Sequence, residues 1–456
     1  MNDRRRMGHL AMAVIVLGLL IGIAAGGLSL LLLGIERVAM GFIENSSIPG
    51  PFHVSASRRV ISVVVGAAIA ALIWWVLRTR TTRVPSVGRA VAGDEMPWWQ
   101  TTVHVLLQIV IVGSGSSIGR EVAPREFAAM LAQRYLRLAR WASTRFERWT
   151  YAWSDADRRM LVAVSAGAGL AGVYDAPLAG AFFSVEILLA EVTLEKVAVS
   201  LGMSALAAAV ATAIKDAVEH GHHVFYVLPG LPSSGSPSLM VFAVLAGAIC
   251  GIGGALFRAG SRWGEAGPRR DAGLLWRMPA AAAFTGLVAV VLPQVFGNGR
   301  AAAQLAFDPT MIGRLVPGFS NLVAGVGSRT VAVALILVVT VVAKAGVTIL
   351  TIRSGASGGV LQPGIAVGAN LGALLGMGWT LLVPGASPAA YALIGACALL
   401  AASQHAPLMA LCLVMELCAA PLAFMVPAGI AVAVSCLVST QLSRRPGTSR
   451  SRSQRN

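Results

Sequence analysis

The sequence predicts an all-α integral membrane protein made of two related halves, and three observations support this fold class. The 456-residue chain is 56% hydrophobic and only 12% charged. Long segments carry no charged side chain, and short words of the first half recur in the second. A soluble protein of this composition would lack the polar side chains needed to cover its surface.

Charge-free segments of membrane-spanning length run through the chain. Each approaches or exceeds the roughly 17–25 residues that cross a hydrocarbon core. They occupy residues 10–35, 60–77, 197–214, 236–257 and 278–297. Between residues 354 and 443 the sequence contains one Asp, Glu, Lys or Arg, which is Glu416. We therefore expect this whole region to lie in lipid.

The charge distribution predicts the orientation. A net charge of +16 would suggest a nucleic-acid partner in a soluble protein, but here it indicates cytoplasmic loops rich in Lys and Arg, and no nucleic-acid partner is expected. The basic segments are the N-terminus, 134–159, 258–277 and the tail from 444, whereas 216–237 has no Lys or Arg. We expect a cytoplasmic N-terminus (1–9), membrane repeats (10–225 and 236–443) and a cytoplasmic tail (444–456).

Two short sequence motifs of the first half recur in the second half, in the same order and at nearly the same distance along the chain. Ala-Pro-Leu starts at Ala176 and again at Ala406, and a glutamate follows each at the same distance, Glu186 and Glu416. The glycine and proline placement of residues 119–124 matches that of residues 358–363. One match arises readily by chance in Ala-rich and Leu-rich sequence, but two ordered matches indicate a duplicated half.

Glycine-rich segments interrupt the apolar sequence at residues 113–117 and 354–359, and Pro124 and Pro363 follow them. Backbone released from helix at membrane depth is tolerated only inside protein or against a water-filled cavity. Because proline suits the first turn of a helix, we expect two helices to begin within the membrane. Their unpaired N–H groups and positive dipole ends would point into a cavity and stabilise an anion without a formal positive charge.

Glu121 lies at the start of the first of these helices, and an ionisable side chain at membrane depth is a functional candidate. When ionised, its carboxylate would occupy the anion site and block it. When protonated, it would swing away and admit the anion. The alternative is a carboxylate paired statically with Arg120 or Arg125.

Other charged residues of the apolar regions suggest less specific roles. Glu186 and Glu416 stand at equivalent points of the repeat, which favours capping or hydrogen bonding between helices. Lys344 and Arg353 flank the second glycine-rich segment and are candidates to draw anions into a cytoplasmic vestibule, with snorkelling to the membrane interface as the alternative. His405 is expected to be a packed loop residue.

Three sequence motifs resemble, in the same order along the chain, signatures of the ClC family of voltage-gated chloride channels and chloride–proton antiporters. The resemblance is in particular to the bacterial ClcB-like branch of this family. Residues 119–124 are similar to GREGP, residues 358–363 to GGIFAP, and residues 175–180 to NAPLAG. The resemblance implies the ClC fold, with two inverted-topology repeats of tilted and broken helices. It also implies a multi-pass protein of the bacterial inner membrane, a homodimer with one chloride pathway in each subunit, and the lipid bilayer as its surroundings.

The resemblance also assigns roles to individual residues. Glu121 falls on the gating glutamate, and Lys344 falls on a basic residue near the inner vestibule. Chloride would be held by backbone amides, while glycines shape the loops of the pore. The amides are those of Arg120, Glu121, Val122, Val360 and Leu361, and the glycines are Gly119, Gly358 and Gly359.

The chain departs from the family pattern at four places. Val122 replaces a glycine of GREGP, and Ala123 delays the proline by one position. Thr82 stands where a serine hydroxyl would bind the central anion, but Arg83 replaces a glycine beside it. The segment 446–448 offers no tyrosine where the family often has one. Ile187 stands where proton-coupled members carry a second glutamate.

Because an apolar Ile187 cannot relay a proton, the sequence favours passive, channel-like chloride conduction, with a proton-coupled chloride antiporter as the alternative. An intramembrane serine enzyme built on residues 113–117 would need a positioned base, and no His or Lys lies nearby in the sequence. We therefore expect no enzymatic activity. The five cysteines lack metal-ligand spacing, so no metal or other cofactor is expected.

Overall fold

A computed structural model describes residues 2–145, 153–219, 224–231, 236–383, 385 and 387–443. Apart from one isolated β-bridge, the regular structure of these residues is helical. The first half contains α1 (Asn2–Ala39), α2 (Ala56–Arg80), α3 (Val87–Val91), α4 (Trp98–Gly113), α5 (Val122–Arg145), α6 (Asp155–Tyr174), α7 (Pro177–Phe182) and α8 (Leu194–Glu219). The second half contains α9 (Pro237–Glu265), α10 (Leu274–Val291), α11 (Arg300–Phe307), α12 (Ile312–Leu315), α13 (Phe319–Val326), α14 (Arg329–Arg353), α15 (Leu361–Thr380), α16 (Pro388–Gln404), α17 (Pro407–Leu417) and α18 (Met425–Ser443).

Seven helices of the described residues are long and apolar enough to cross a membrane, and these agree with the predicted fold class. Four predicted charge-free segments coincide with parts of α1, α2, α8 and α9. The fifth, 278–297, extends beyond the end of α10, because Pro293 follows closely and cannot continue the helical hydrogen bonding. The remaining long spans are α14 and the helical stretch 422–443, which includes α18.

Several apolar helices are too short to cross a bilayer core, which needs about 20 residues. Helices α4, α16 and α17 contain 16, 17 and 11 residues. The breaks after α4 and α14 have the same backbone geometry, since Gly115 and Gly355 have φ angles of +111° and +109°. Such angles favour glycine. Asp175 and His405 likewise end α6 and α16 in matching left-handed conformations, so the two halves share one local architecture.

Small residues allow the helices at the centre of the second half to approach closely. A Cβ atom added to Gly372 of α15 would lie 2.4 Å from the backbone oxygen of Tyr391, and one added to Gly395 of α16 would lie 2.4 Å from that of Gly368. Glycine therefore brings these two backbones into direct contact, as is typical of helix pairs in membranes.

Two glutamates connect the halves reciprocally. The carboxylate of Glu186 accepts hydrogen bonds from the N–H groups of Leu408 and Met409 at 3.2 and 2.9 Å. The carboxylate of Glu416 accepts two bonds of 2.8 Å from the equivalent N–H groups at the start of α7. Each half thus caps a helix of the other half, which confirms the predicted capping role. A pseudo-two-fold axis between inverted repeats produces this kind of exchange.

Candidate anion-binding site

The two glycine-rich segments meet inside the protein. Gly119 and Gly359 form an antiparallel bridge in which the N–H of each donates to the carbonyl of the other, with N···O distances of 2.7 and 2.8 Å. Helix α5 begins three residues after Gly119, and α15 begins two residues after Gly359. The N-termini of both helices therefore converge, as the sequence predicts.

The carboxylate of Glu121 lies where these segments meet. Its side chain is 0% exposed. The N–H of Leu361, the first residue of α15, donates to Oε1 at 2.6 Å, and the hydroxyl of Tyr174 donates to Oε2 at 3.4 Å. A negative side chain of the first half thus rests on the positive end of a helix from the second half.

The alternative of a static ion pair with a neighbouring arginine is not observed among the described residues. Arg125 donates from Nε to the backbone carbonyl of Glu121 at 2.8 Å, and its guanidinium lies 4.8 Å from the ring centroid of Phe183. The guanidinium of Arg120 is buried 5.4 Å from the ring centroid of Tyr174. Both arginines are thus held by carbonyl or aromatic groups rather than by the Glu121 carboxylate.

Two glycines create the space for this carboxylate. A Cβ atom added to Gly359 would lie 1.9 Å from Oε1 of Glu121, and one added to Gly119 would lie 2.1 Å from Oε2. A Cβ on Gly358 would instead approach Ile118 at 2.7 Å. Any side chain at Gly119 or Gly359 would therefore overlap the position that the carboxylate occupies.

The amides predicted to hold the anion lie at these helix starts. Val122 is the first residue of α5, and Arg120 and Glu121 precede it directly. Val360 is the N-cap of α15 and makes no side-chain cap. The amide of Leu361 is used by the Glu121 carboxylate. The role of the other amides as anion ligands stays a prediction.

A cavity of about 210 Å³ is lined in part by Arg120, the residue before Glu121, and by Tyr174, whose hydroxyl contacts the Glu121 carboxylate. Its lining also includes Arg300, whose guanidinium lies 4.3 Å from the ring centroid of Phe225 and whose Nε lies 3.5 Å from a carboxylate oxygen of Glu44.

Comparison with known proteins identifies the family. The sequence model described as "Voltage gated chloride channel" matches residues 65–440 of the chain. The chain belongs to the ClC family. A ClcB channel of Citrobacter koseri is 27% identical over 438 residues, which are 94% of each protein. A putative ClcB-like chloride channel protein of Ralstonia nicotianae is 32% identical over 326 residues, 70% of this chain and 67% of the relative.

Solved structures show the same ClC fold. A slow cyanobacterial Cl⁻/H⁺ antiporter superposes with a TM-score of 0.73 at 20% identity, covering 96% of this chain and 95% of that chain. A ClC-type fluoride/proton antiporter superposes with a TM-score of 0.65 at 17% identity, covering 95% and 96%. The chain is therefore a multi-pass membrane protein of the bacterial ClcB-like type with the predicted fold.

In this ClC protein, Lys344 does not line a vestibule, and it does not snorkel to the interface. It is 0% exposed, and its Nζ donates to Ser117 Oγ at 2.8 Å and to the carbonyls of Val295 and Gly297 at 2.9 and 2.8 Å. Because these three acceptors use all three protons of the ammonium, Lys344 joins the first glycine-rich segment to the turn after α10. The expectation of a vestibule residue is corrected accordingly.

The loop after α2 presents a different side chain from the one that the family pattern suggests. Thr82 is exposed there. Arg78, at the end of α2, instead donates to the carbonyl of Gly355 and to Ser357 Oγ, both at 2.8 Å. A cation that no motif marks thus supports the second glycine-rich segment, and the hydroxyl role of Thr82 stays a prediction. The segment 446–448 lies outside the described residues.

A buried polar cluster lies further along α5. Glu126 accepts a 2.7 Å hydrogen bond from Gln108, and His104 Nε2 lies 3.5 Å from the same carboxylate oxygen. The indole N–H of Trp74 donates to His104 Nδ1 at 2.9 Å. Ile187 itself lies in the π-helical turn Phe183–Leu188 and packs against the core. The cluster around Glu126 was not predictable from sequence patterns, because Trp74, His104 and Glu126 lie on three different helices.

Tyr174, Gln362 and Tyr226 also escaped the sequence reasoning. The hydroxyl of Tyr174 contacts the Glu121 carboxylate, and the hydroxyl of Tyr226 donates to Oε1 of Gln362 at 2.6 Å. Tyr174 directly precedes the word similar to NAPLAG, and Gln362 lies within the word similar to GGIFAP. Their position beside or inside family signatures is the one signal that points to them.

Proposed function

We propose that this chain conducts chloride passively across the bacterial inner membrane through a pathway that Glu121 gates, and that it has no enzymatic activity. The observation that carries the proposal is the buried Glu121 carboxylate on the amide of Leu361. A carboxylate held by a helix N-terminus occupies the kind of site that binds a free anion. The chloride preference follows the names of the ClcB relatives.

The gate works by exchange of one negative charge for another. While the carboxylate rests on Leu361, an incoming chloride would meet a like charge and an occupied donor. Protonation removes the charge, so the side chain loses its hold on the helix end and the anion takes its place. Neutral amide donors bind the anion weakly enough to release it, which suits fast conduction. Since the carboxylate carries one charge at membrane depth, its displacement is also where the membrane voltage would act.

The apolar Ile187 supports passive conduction, because this position cannot hold a proton in transit. A specific observation favours the alternative, a proton-coupled chloride antiporter. Glu126, in the first turns of α5, and His104, on α4, form a buried titratable pair. Glu126 lies five residues after Glu121, toward the end of α5 that its basic residues mark as cytoplasmic. Both solved relatives described above are proton antiporters by title.

Flux measurements on liposomes separate the two mechanisms. The purified protein is reconstituted, an outward chloride gradient is imposed, and external chloride and pH are recorded together. Passive conduction predicts chloride efflux that is carried electrically and moves no protons. Proton uptake against a proton gradient would overturn the channel mechanism. In that case Glu126→Gln should abolish proton movement, whereas Glu265→Gln, at an exposed site at the end of α9, should not.

We further propose a homodimer with both termini on the cytoplasmic side. The basic N-terminus and the basic segments 134–159 and 258–277 support this orientation. Leu178 and Leu408, at equivalent positions of α7 and α17, are each 44% exposed, and a second copy can cover this paired apolar surface. Light scattering in detergent should give twice the monomer mass, and a monomeric mass at high protein concentration would contradict the dimer.

A further inference from the structure

One buried amide near the gate lacks a hydrogen-bond partner. Gln362, in the first turn of α15, is 0% exposed. Its Oε1 accepts a hydrogen bond from the hydroxyl of Tyr226 at 2.6 Å. Its Nε2, a donor of two protons, is buried and has no hydrogen bond within the described residues. A buried donor without an acceptor costs free energy, so its presence calls for an explanation.

The unpaired amide belongs to the surroundings of the Glu121 carboxylate. Gln362 follows Leu361, whose N–H binds Oε1 of Glu121. The hydroxyl of Tyr174, which binds Oε2 of Glu121 at 3.4 Å, also lies beside the Arg120 guanidinium and the Gln362 amide, although Nε2 of that amide makes no well-formed hydrogen bond. A backbone N–H and a hydroxyl thus contact the carboxylate directly, and the side-chain amide of Gln362 lies next to that hydroxyl.

Tyr226 fixes the orientation of the amide. Its ring packs edge-on against Phe225 and Phe307, with centroid distances of 4.8 and 5.1 Å, so its hydroxyl has little freedom to move. With this hydroxyl donating to Oε1, the NH₂ group faces away from Tyr226. The opposite orientation would turn the carbonyl oxygen of Gln362 to the side of Tyr174, whose hydroxyl already donates to the Glu121 carboxylate.

We propose that Gln362 is a side-chain ligand of the transported anion. When the Glu121 carboxylate leaves, a small monovalent anion, either a halide or a planar oxyanion that resembles a carboxylate, takes its place. The anion accepts hydrogen bonds from Leu361 N–H, Tyr174 O–H and Gln362 Nε2–H. This inference rests on the proposed function and adds to it two side-chain donors beyond the backbone amides.

The test measures chloride binding by titration calorimetry on purified protein carrying Glu121→Ala, which removes the competing carboxylate. Adding Gln362→Leu removes the amide donors and should weaken chloride binding about tenfold or more, since a hydrogen bond to a charged group is lost. Gln362→Met keeps a similar shape without donors and should behave alike. Tyr226→Phe loses only the orienting hydroxyl and should weaken binding by a smaller factor.

A matched control is Gln304→Leu. Gln304 is equally buried, but both ends of its amide are already bonded to the backbone of Val227, at 3.0 and 2.8 Å. This variant should keep its chloride affinity even if it lowers thermal stability. The inference is overturned if the Gln362 variants bind chloride as tightly as their parent. If the Glu121→Ala parent itself neither binds nor conducts chloride, the proposed function fails instead.

Discussion

Substitution of Glu121 by Gln is the most direct test of the gate. Glutamine keeps the size of the side chain and an oxygen that can accept from Leu361, but it removes the negative charge. In the structure that charge is fully buried and receives a 2.6 Å hydrogen bond from Leu361 and a 3.4 Å bond from Tyr174. The variant therefore imitates a permanently protonated gate.

The size of the effect follows from these contacts. A hydrogen bond to a charged group contributes about 1.5–3 kcal/mol and a neutral one about 0.5–1.5 kcal/mol, so the Leu361 bond weakens by about 1–1.5 kcal/mol. The attraction of the charge to the end of α15 adds about 0.3–1 kcal/mol. Together these changes correspond to a roughly tenfold to fiftyfold shift toward the vacated site.

Chloride efflux from liposomes at acidic and alkaline pH measures the result. The unmodified protein should conduct faster at acidic pH, because protonation releases the carboxylate, and slower at alkaline pH, where the ionised side chain stays on Leu361. Glu121→Gln should be fast at both. The control Glu265→Gln should retain the pH dependence of the unmodified protein. A Glu121→Gln variant that still slows at alkaline pH would show that another group controls the pathway.

Two further substitutions test the geometry. Gly359→Ala places a Cβ 1.9 Å from Oε1 of Glu121, in space that the carboxylate and the anion share, so chloride flux should fall severalfold. The control Gly346→Ala, whose Cβ would meet no atom within 4 Å, should conduct normally. Equal flux in the two variants would refute this steric account. Glu416→Ala leaves the amides at the start of α7 without their acceptor, so the free energy of unfolding should fall by about 1–3 kcal/mol. The loss should be measurable as a lower melting temperature in detergent. An unchanged melting temperature would show that the cap contributes little.

Short sequence motifs predicted the features of the structure that depend on the local backbone. The glycines before Glu121 and Pro363 break the helices whatever the packing around them. The repeated spacing of Glu186 and Glu416 predicted equivalent roles for these two residues. The meeting of Gly119 with Gly359 followed because a duplicated half brings equivalent segments to its symmetry axis. These predictions needed no knowledge of which side chains pack together.

Features that depend on packing partners were not predictable in the same way. Lys344 is separated by 227 positions from Ser117, which accepts one of its protons, and its burial follows from the way α14 docks on the turn after α10. Arg78 reaches Ser357 over a comparable separation, 279 positions. For a long basic side chain the sequence leaves snorkelling, a vestibule and a buried contact all available, and the tertiary arrangement decides among them.

The duplication is symmetrical in its backbone but not in its chemistry, and the gate depends on that difference. The position equivalent to Glu121 in the second half is Val360, and the position equivalent to Ala123 is Gln362. The first half thus supplies a single carboxylate, while the second supplies the amide of Leu361 and the unpaired amide of Gln362. Two facing carboxylates would repel each other at this depth, whereas one carboxylate facing neutral donors can leave and be replaced by an anion. Divergence of the halves at these few positions therefore turns a symmetrical junction of helix ends into a site that one titratable group controls.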